Sequence, residues 1–248
     1  TGSYDNVVYN ENPSPLFVEV ALNSNVHDDS FEDLGSMGYG AAWGDYDNDN
    51  DFDLYLSNWG INKLFRNDGS TFLDVTSTYN VYSDSLSNGA SWGDYDNDGN
   101  LDLWAGNIRI RDDLYLNDGT VESNNDYSPE FLTATQDIIA GDYNNDGWLD
   151  AFTPGLQMIN PPYGPKYTSL MYKNVTPDLT STGYNWIKIN LEGAKNSITN
   201  NGWSAESNKS AIGARVIIST LEGSIYSREI IAGKGHGSMD ALELHYGV

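Results

Sequence analysis

Short runs of apolar residues recur along this chain and are separated by turns rich in Gly, Asn and Asp. Within runs such as "DLYLSN", "LDLWAG" and "LFRNDG" the apolar positions alternate with a period near two. This period is typical of β-strands, and the turn residues mark where each strand ends. No apolar run reaches the length that spans a bilayer. The pattern therefore predicts an all-β fold without membrane insertion.

The strand pattern repeats with a period near 50 residues. "GAAWGDYDNDNDFDLYLSN" begins at Gly40, "GASWGDYDNDGNLDLWAGN" at Gly89 and "DIIAGDYNNDGWLDAFTPG" at Asp137. Two further apolar runs follow each of these segments, so each unit reads as four short strands. Four strands in about 50 residues is the blade pattern of a β-propeller, whereas a stacked β-solenoid needs a shorter repeat.

The number of predicted blades is unusual for a propeller. Residues 1–38 supply two strands and residues 39–180 supply three blades, the last of them short of an outer strand. We therefore expect three β-propeller-type four-stranded blades and a partial N-terminal one in residues 1–180, followed by a small β domain in residues 181–248. Because a propeller usually needs at least four blades, we expect a larger parent chain or another copy of the chain to complete the open sheets.

Each unit carries an acidic loop between its first two strands. The three loops align as D-Y-D-N-D-N-D-F-D, D-Y-D-N-D-G-N-L-D and D-Y-N-N-D-G-W-L-D. Side-chain oxygens stand at positions 1, 3, 5 and 9, and position 7 can offer its backbone carbonyl. Ca²⁺ accepts six to eight oxygen ligands, whereas Mg²⁺ demands a tighter octahedral shell. The predicted Ca²⁺ ligands are Asp45, Asp47, Asp49, Asp51 and Asp53; Asp94, Asp96, Asp98, Asn100 and Asp102; and Asp142, Asn144, Asp146, Trp148 and Asp150.

The sequence of these loops admits two other interpretations. An EF-hand requires Glu at position 12, where this chain has Leu56, Ala105 or Thr153. Asx-rich turns also favour hairpins while staying solvated and free of metal. Three matching loops at a constant period favour the calcium interpretation. Asn50 stands at position 6, where the other loops have Gly, and Asn tolerates the positive φ that this turn position requires.

The loops and their flanks resemble FG-GAP/VCBS repeats, the calcium-binding blades of integrin α-chain propellers and of many bacterial surface proteins. The resemblance covers residues 1–180 and rests on the core D-x-[DN]-x-D-[GN]-x-x-D, which occurs three times. It implies a propeller with one Ca²⁺ in each intact blade, about three ions in all. The chain departs from the family in blade number, because family propellers typically have seven.

The repeat stops near Asn185, and the remaining residues have another pattern. "NWIK", "AIGARV", "REI" and "LELHYG" follow one another, and in this order they resemble the motifs of an ASPIC/UnbV domain. Family members usually continue past the last motif, which implies that this domain is incomplete. Two explanations stay open: a shortened chain, or strand exchange between copies that builds a filament.

Charge and composition narrow the function. The chain has 36 acidic and 12 basic residues and a net charge of −24, which disfavours nucleic acid and anionic membranes as partners. It has no Cys, so disulfides and thiolate sites are excluded. None of its three histidines has a zincin spacing, and no nucleophile or nucleotide motif is present. We expect a protein that is not an enzyme and in which His245 is structural.

The sequence favours an extracellular, calcium-binding structural or adhesive module, because millimolar Ca²⁺ outside cells suits loops of modest affinity. One alternative is a calcium-dependent lectin, with Trp59 and Trp203 as sugar-stacking rings. Another is a noncatalytic part of a surface enzyme. Trp43, Trp92 and Trp104 are expected to pack between blades. Two N-x-[ST] sequons mark candidate glycosylation sites, Asn174 and Asn208.

Overall fold

The structure is a computed structural model. It describes residues 20–21, 23–26, 38–69, 71–83, 86–108, 110–119, 134–155, 169–176, 185–193, 197–198, 204–205, 210–232 and 240–248. The elements that these residues form are all β-strands, which confirms the all-β prediction. Within the same ranges, no helix has the length and apolar character required to cross a bilayer.

The first repeat forms a complete four-stranded antiparallel sheet. Its strands are β1 (Gly38–Gly44), β2 (Asp53–Asn58), β3 (Lys63–Asn67) and β4 (Phe72–Asp74). Each strand pairs with the next one along the chain, in the order β1-β2-β3-β4. This meander of four strands is the predicted propeller-type blade.

The second and third repeats show the same meander over three described strands each. Their bounds are β5 (Leu86–Gly93), β6 (Asp102–Ile108), β7 (Asp113–Tyr115), β8 (Ile139–Gly141), β9 (Asp150–Pro154) and β10 (Ser169–Tyr172). The predicted outer strand of the second repeat, "EFLTAT", and the predicted N-terminal partial blade lie mostly outside the described residues. The predicted domain boundary at residues 180 and 181 lies outside them as well.

The sheets of consecutive repeats pack face to face. Every residue of β6 is buried, and β2 is buried at five of its six positions. The alternation of apolar residues in β2 and β6 therefore does not indicate a solvent-exposed face, because neighbouring elements cover both faces of these strands. The side chains between the first two sheets form one apolar core that includes Tyr55, Leu64 and Leu103.

Trp92 is the main aromatic contact between the first two repeats. Its ring lies 5.9 Å from that of Tyr46 and 6.5 Å from that of Tyr55, and its Nε1 donates to the carbonyl of Ala42 at 3.2 Å. Trp104 is also buried, at 6% exposure. The expectation of burial was wrong for Trp43, which is 45% exposed. Trp43 occupies the position in the first repeat that Trp92 occupies in the second, but the ring of Trp43 is not covered in this way.

The C-terminal segment forms six short strands: β11 (Trp186–Ile189), β12 (Ser197–Ile198), β13 (Ser204–Ala205), β14 (Arg215–Ser219), β15 (Ile225–Glu229) and β16 (Leu244–Gly247). They form three antiparallel pairs: β11 with β16, β12 with β13 and β14 with β15. The buried core of this segment consists of Ala211, Ile230, Leu244 and Tyr246.

This C-terminal domain lies against the ends of the repeat strands. Asp240 accepts hydrogen bonds from the Ser91 hydroxyl at 3.2 Å and from the Ala140 backbone N–H at 2.8 Å. The backbone N–H of Gly247 donates to Asp94 at 2.6 Å. The domain therefore contacts the same end of the repeats at which the acidic loops lie.

Candidate metal centres

Each acidic loop is a hairpin connection at a fixed place in its repeat. In the first repeat β1 ends at Gly44, loop position 1 follows as Asp45, and position 9 is Asp53, the first residue of β2. The second and third loops begin and end in the same way relative to their strands. The sequence alignment of the loops therefore corresponds to a structural alignment.

The carboxylate at position 9 closes each loop. One oxygen of Asp53 accepts the backbone N–H of Tyr46 at 3.1 Å, and the other accepts the backbone N–H of Asn67 at 2.8 Å. Position 9 thus ties the start of the loop to the third strand of the same sheet. The same two bonds recur at Asp102, from Tyr95 and Asn117, and at Asp150, from Tyr143 and Asn174.

Two residues in each loop adopt positive φ. In the first loop these are Asn48 at 59° and Asn50 at 76°, so the prediction for Asn50 is confirmed. Position 4 was missed by sequence reasoning, although its signal is plain, because Asn stands there in all three loops. These bends turn the side chains at positions 3 and 5 back onto the loop, where Asp47 accepts the N–H of Asp49 at 3.3 Å.

The carboxylates at position 1 of the first two loops are buried and incompletely paired. Asp45 is 2% exposed and Asp94 is 1% exposed. Their Oδ2 atoms accept the N–H at position 6, from Asn50 at 3.2 Å and Gly99 at 3.1 Å. Their Oδ1 atoms are buried without a hydrogen-bond partner. A buried charged oxygen without a partner is costly, and a cation is the partner that suits it.

Neighbouring carboxylates lie close to each of these two carboxylates. In each loop three carboxylates can place one oxygen each within 4.8 Å of the others, a spacing at which one cation can bind all three. Asp53 in the first loop and Asp98 in the second are outside these groups, and the backbone ligands at Asp51 and Asn100 stay a prediction. The two groups are Asp45, Asp47 and Asp49, and Asp94, Asp96 and Asp102.

Burial dominates the pKa values at these two loops, because the guanidinium near each of them lowers the pKa by less than burial raises it. Burial raises the pKa of Asp45 to about 6, with further increases from Asp49 and Asp47. Burial also raises the pKa of Asp94 to about 7. Both shifts mean that the ionised carboxylates are disfavoured without a counter-ion. The residues of the first two loops therefore fit a bound cation.

The third loop has another arrangement. Lys188 of β11 places its Nζ 2.6 Å from Oδ2 of Asp142. Burial alone would raise the pKa of Asp142, but the ammonium and two backbone N–H donors outweigh burial and lower this pKa. Position 3 is the neutral Asn144, whose amide donates to Asp146 at 2.8 Å. Among the described residues, the carboxylates of this loop do not form a group like the other two, and a ligand role for Trp148 stays a prediction.

The C-terminal domain touches position 6 of every loop through a basic side chain. Arg215 donates to the carbonyl of Asn50, Arg228 to that of Gly99 at 2.8 Å, and His245 Nε2 to that of Gly147 at 2.9 Å. His245 is therefore structural, as expected. Sequence reasoning did not connect these residues with the loops. Their signal lay in the C-terminal motifs, because Lys188, Arg215, Arg228 and His245 are the basic residues of those quoted motifs.

Two residues proposed for glycans are already engaged. The side-chain nitrogen of Asn174, to which a glycan would be attached, donates to the carbonyls of Tyr95 at 2.7 Å and Leu149 at 3.2 Å. Glycosylation there would remove both bonds. The ring of Trp59 stacks on Tyr39 with centroids 4.5 Å apart, so one of its faces is covered. Asn208 and Trp203 lie outside the described residues.

Comparison with known families agrees with these features. A model described as an FG-GAP-like repeat matches residues 45–105, a range that contains the first two acidic loops and ends before the third. A model described as ASPIC and UnbV matches residues 204–248. A search of curated proteins finds no match to the chain. The chain therefore combines FG-GAP-like repeat structure with a C-terminal ASPIC and UnbV domain.

Proposed function

We propose that this protein is a calcium-binding structural or adhesive module of the cell exterior that has no catalysis of its own. The observation that carries the proposal is the pair of buried, unpartnered oxygens, Oδ1 of Asp45 and Oδ1 of Asp94. Each belongs to a group of three converging carboxylates. One divalent cation in each loop would satisfy the unpartnered oxygen there and cancel the repulsion within that group.

The donor set favours Ca²⁺. All the converging groups are carboxylates, with no imidazole or thiolate among them, and hard oxygen ligands suit Ca²⁺ or Mg²⁺ rather than Zn²⁺. The ligands come from a loop whose side chains at positions 3 and 5 are partly or fully exposed, a setting that suits the flexible shell of Ca²⁺ better than the rigid octahedron of Mg²⁺. Asp45, Asp47 and Asp49 would hold one ion, and Asp94, Asp96 and Asp102 another.

The matched repeat and the proposed metal both support an extracellular or surface setting. FG-GAP-like repeats are typical of extracellular or surface proteins. Millimolar Ca²⁺ is available there, so loops of modest affinity would be filled. Bound ions would stiffen the hairpins on which the C-terminal domain rests. Strand exchange between copies, binding of glycans and membership of a larger surface enzyme stay predictions.

The direct test is calcium titration of chelator-stripped protein, followed by calorimetry and thermal unfolding. We expect Ca²⁺ to bind and to raise the Tm, and Mg²⁺ to do so more weakly. Asp47→Ala and Asp96→Ala should each weaken one site by at least about tenfold, because each removes a charged ligand. Asp51→Ala is the matched control, since it removes an equal charge from the same loop but keeps the backbone carbonyl. Absence of binding heat, with a Tm unchanged by EDTA, would overturn the proposal.

A further inference from the structure

Lys188 places a half-buried ammonium beside position 1 of the third loop, where the other two loops have no ammonium among the described residues. Its side chain is 12% exposed and that of Asp142 is 1% exposed, so their contact of 2.6 Å is largely shielded from water. Glu243 lies 3.4 Å from the same Nζ, and the ring of Trp186 lies 5.5 Å away. Oδ1 of Asn145, at loop position 4, is 3.4 Å from it. The ammonium is therefore surrounded by groups that attract a cation.

The three loops differ at the oxygens of position 1. In the first two loops Oδ1 of Asp45 and Oδ1 of Asp94 are buried without a partner. In the third loop both oxygens of Asp142 are used. Oδ1 accepts the N–H of Asp146 at 3.2 Å, and Oδ2 accepts the N–H of Gly147 at 2.8 Å in addition to Lys188. Across the described residues, no lysine or arginine makes a salt bridge to the carboxylates of the first two loops.

The formal charges of the loops also distinguish the third loop from the second. The second loop has four carboxylates at its ligand positions, and one Ca²⁺ would leave it at −2. The third loop has three, because Asn144 replaces one Asp, and the ammonium of Lys188 also leaves it at −2. Arg228 contacts a carbonyl of the second loop and makes no salt bridge to a carboxylate of the described residues. When only cations in contact with carboxylates are counted, one amide and one lysine together reproduce the charge of a calcium-loaded loop.

We propose that the ammonium of Lys188 takes the place of the third calcium ion, so that the protein binds Ca²⁺ only in its first two repeats. The proposal rests on calcium binding by those two loops. The positive charge at the third loop then comes from Lys188, which belongs to the C-terminal domain and not to the repeat. The third hairpin then stays joined to that domain whether or not calcium is present.

The test is the number of calcium ions bound, measured by native mass spectrometry and calorimetry on the full chain. We expect two ions in the unaltered protein and three in Lys188→Met, because the variant opens the third loop to a cation. Lys173→Met is the matched control. Its ammonium lies 3.9 Å from Asp146 of the same loop but is 47% exposed, so its removal should leave two ions.

A second variant keeps the test decisive if Lys188→Met does not fold. Asp146→Ala removes a predicted ligand from the third loop and should leave the count at two, whereas Asp47→Ala should reduce it. A count of three in the unaltered protein, a count of two in folded Lys188→Met, or a count lowered by Asp146→Ala would each overturn the role of Lys188. A count of zero would instead contradict calcium binding itself.

Discussion

The side-chain nitrogen of Asn117 donates a hydrogen bond to the backbone carbonyl of Tyr46 at 2.8 Å, across 71 residues of sequence. Asn174 makes the equivalent bond to Tyr95 at 2.7 Å, across 79 residues. In both cases the Asn follows the third strand of one repeat, and the Tyr is position 2 of the acidic loop in the preceding repeat. The loops are therefore fixed by their neighbours as well as by their own strands.

We expect Asn117→Ala to lower the free energy of unfolding by about 1–2 kcal/mol more than Asn67→Ala does. The mutation leaves the carbonyl of Tyr46 without its donor, and a lost hydrogen bond at a largely buried group costs about that much. Asn67 is the matched control, because its side-chain nitrogen donates only within its own repeat, to Phe52 at 3.1 Å. Urea denaturation of both variants measures the difference, and equal losses would contradict the importance of the bond between repeats.

Trp92 and Trp43 hold equivalent positions with opposite surroundings. Trp92→Ala should lower the free energy of unfolding by about 3–5 kcal/mol, because it leaves a cavity between the first two sheets. Trp43→Ala should cost less than about 1 kcal/mol, since its ring is 45% exposed. Chemical denaturation again decides. A large loss at Trp43, or a small one at Trp92, would show that the sheets do not pack as described.

Without calcium, stability should fall as the pH rises from about 4 to 7. In the folded chain the pKa of Asp45 is about 6 and that of Asp94 is about 7, both above the ordinary value of 3.8. Between these values the folded state binds more protons than the unfolded state, so the free energy of unfolding decreases with pH. Saturating Ca²⁺ should remove this decrease, because the ion stabilises the ionised carboxylates.

Denaturation at several pH values in EDTA and in Ca²⁺ measures the effect. Asp45→Asn with Asp94→Asn is the control, because both side chains stay polar and similar in size but no longer titrate. This double variant should show a flatter profile in EDTA. A profile in EDTA that is unchanged by the double mutation would mean that other groups cause the pH dependence.

Gly147 should not tolerate a side chain. Its φ is 88°, and a Cβ built on it would collide with the ring of Trp186 in the C-terminal domain. Gly147→Ala therefore combines backbone strain of about 1 kcal/mol with displacement of that ring. Asn50→Ala is the control, because position 6 already carries a Cβ there. Ala at position 50 meets a similar positive φ but no ring, so we expect the larger loss of Tm, and a change in tryptophan fluorescence, for Gly147→Ala. A loss no larger than that of Asn50→Ala would contradict the contact.

The acidic loops were predictable because their geometry is local. The Asx-rich spacing from position 1 to position 9 specifies the hairpin, and Asn50 adopts the positive φ that the alignment with Gly99 and Gly147 required. Strand order within each sheet followed for the same reason, since each strand pairs with the next one. These features depend on contacts between residues that are close in sequence.

The contacts between distant segments were not predictable in this way. The exposure of Trp43 depends on which side of its sheet is covered, and no run of residues near it encodes that. Lys188 lies 46 residues after Asp142 and in another domain, so the repeat alone gave three equivalent loops. The pairing of basic residues with loop carbonyls likewise appears only once the C-terminal domain is in place.

Three basic side chains of the C-terminal domain donate hydrogen bonds to equivalent backbone carbonyls, at position 6 of three successive hairpins. They are Arg215, Arg228 and His245. One domain that hydrogen-bonds to three equivalent carbonyls restricts their movement relative to one another. The angle between one blade and the next therefore depends on the C-terminal domain as well as on contacts between neighbouring blades. Loss of the C-terminal domain should allow the angles between blades to vary more widely, even where every blade stays folded.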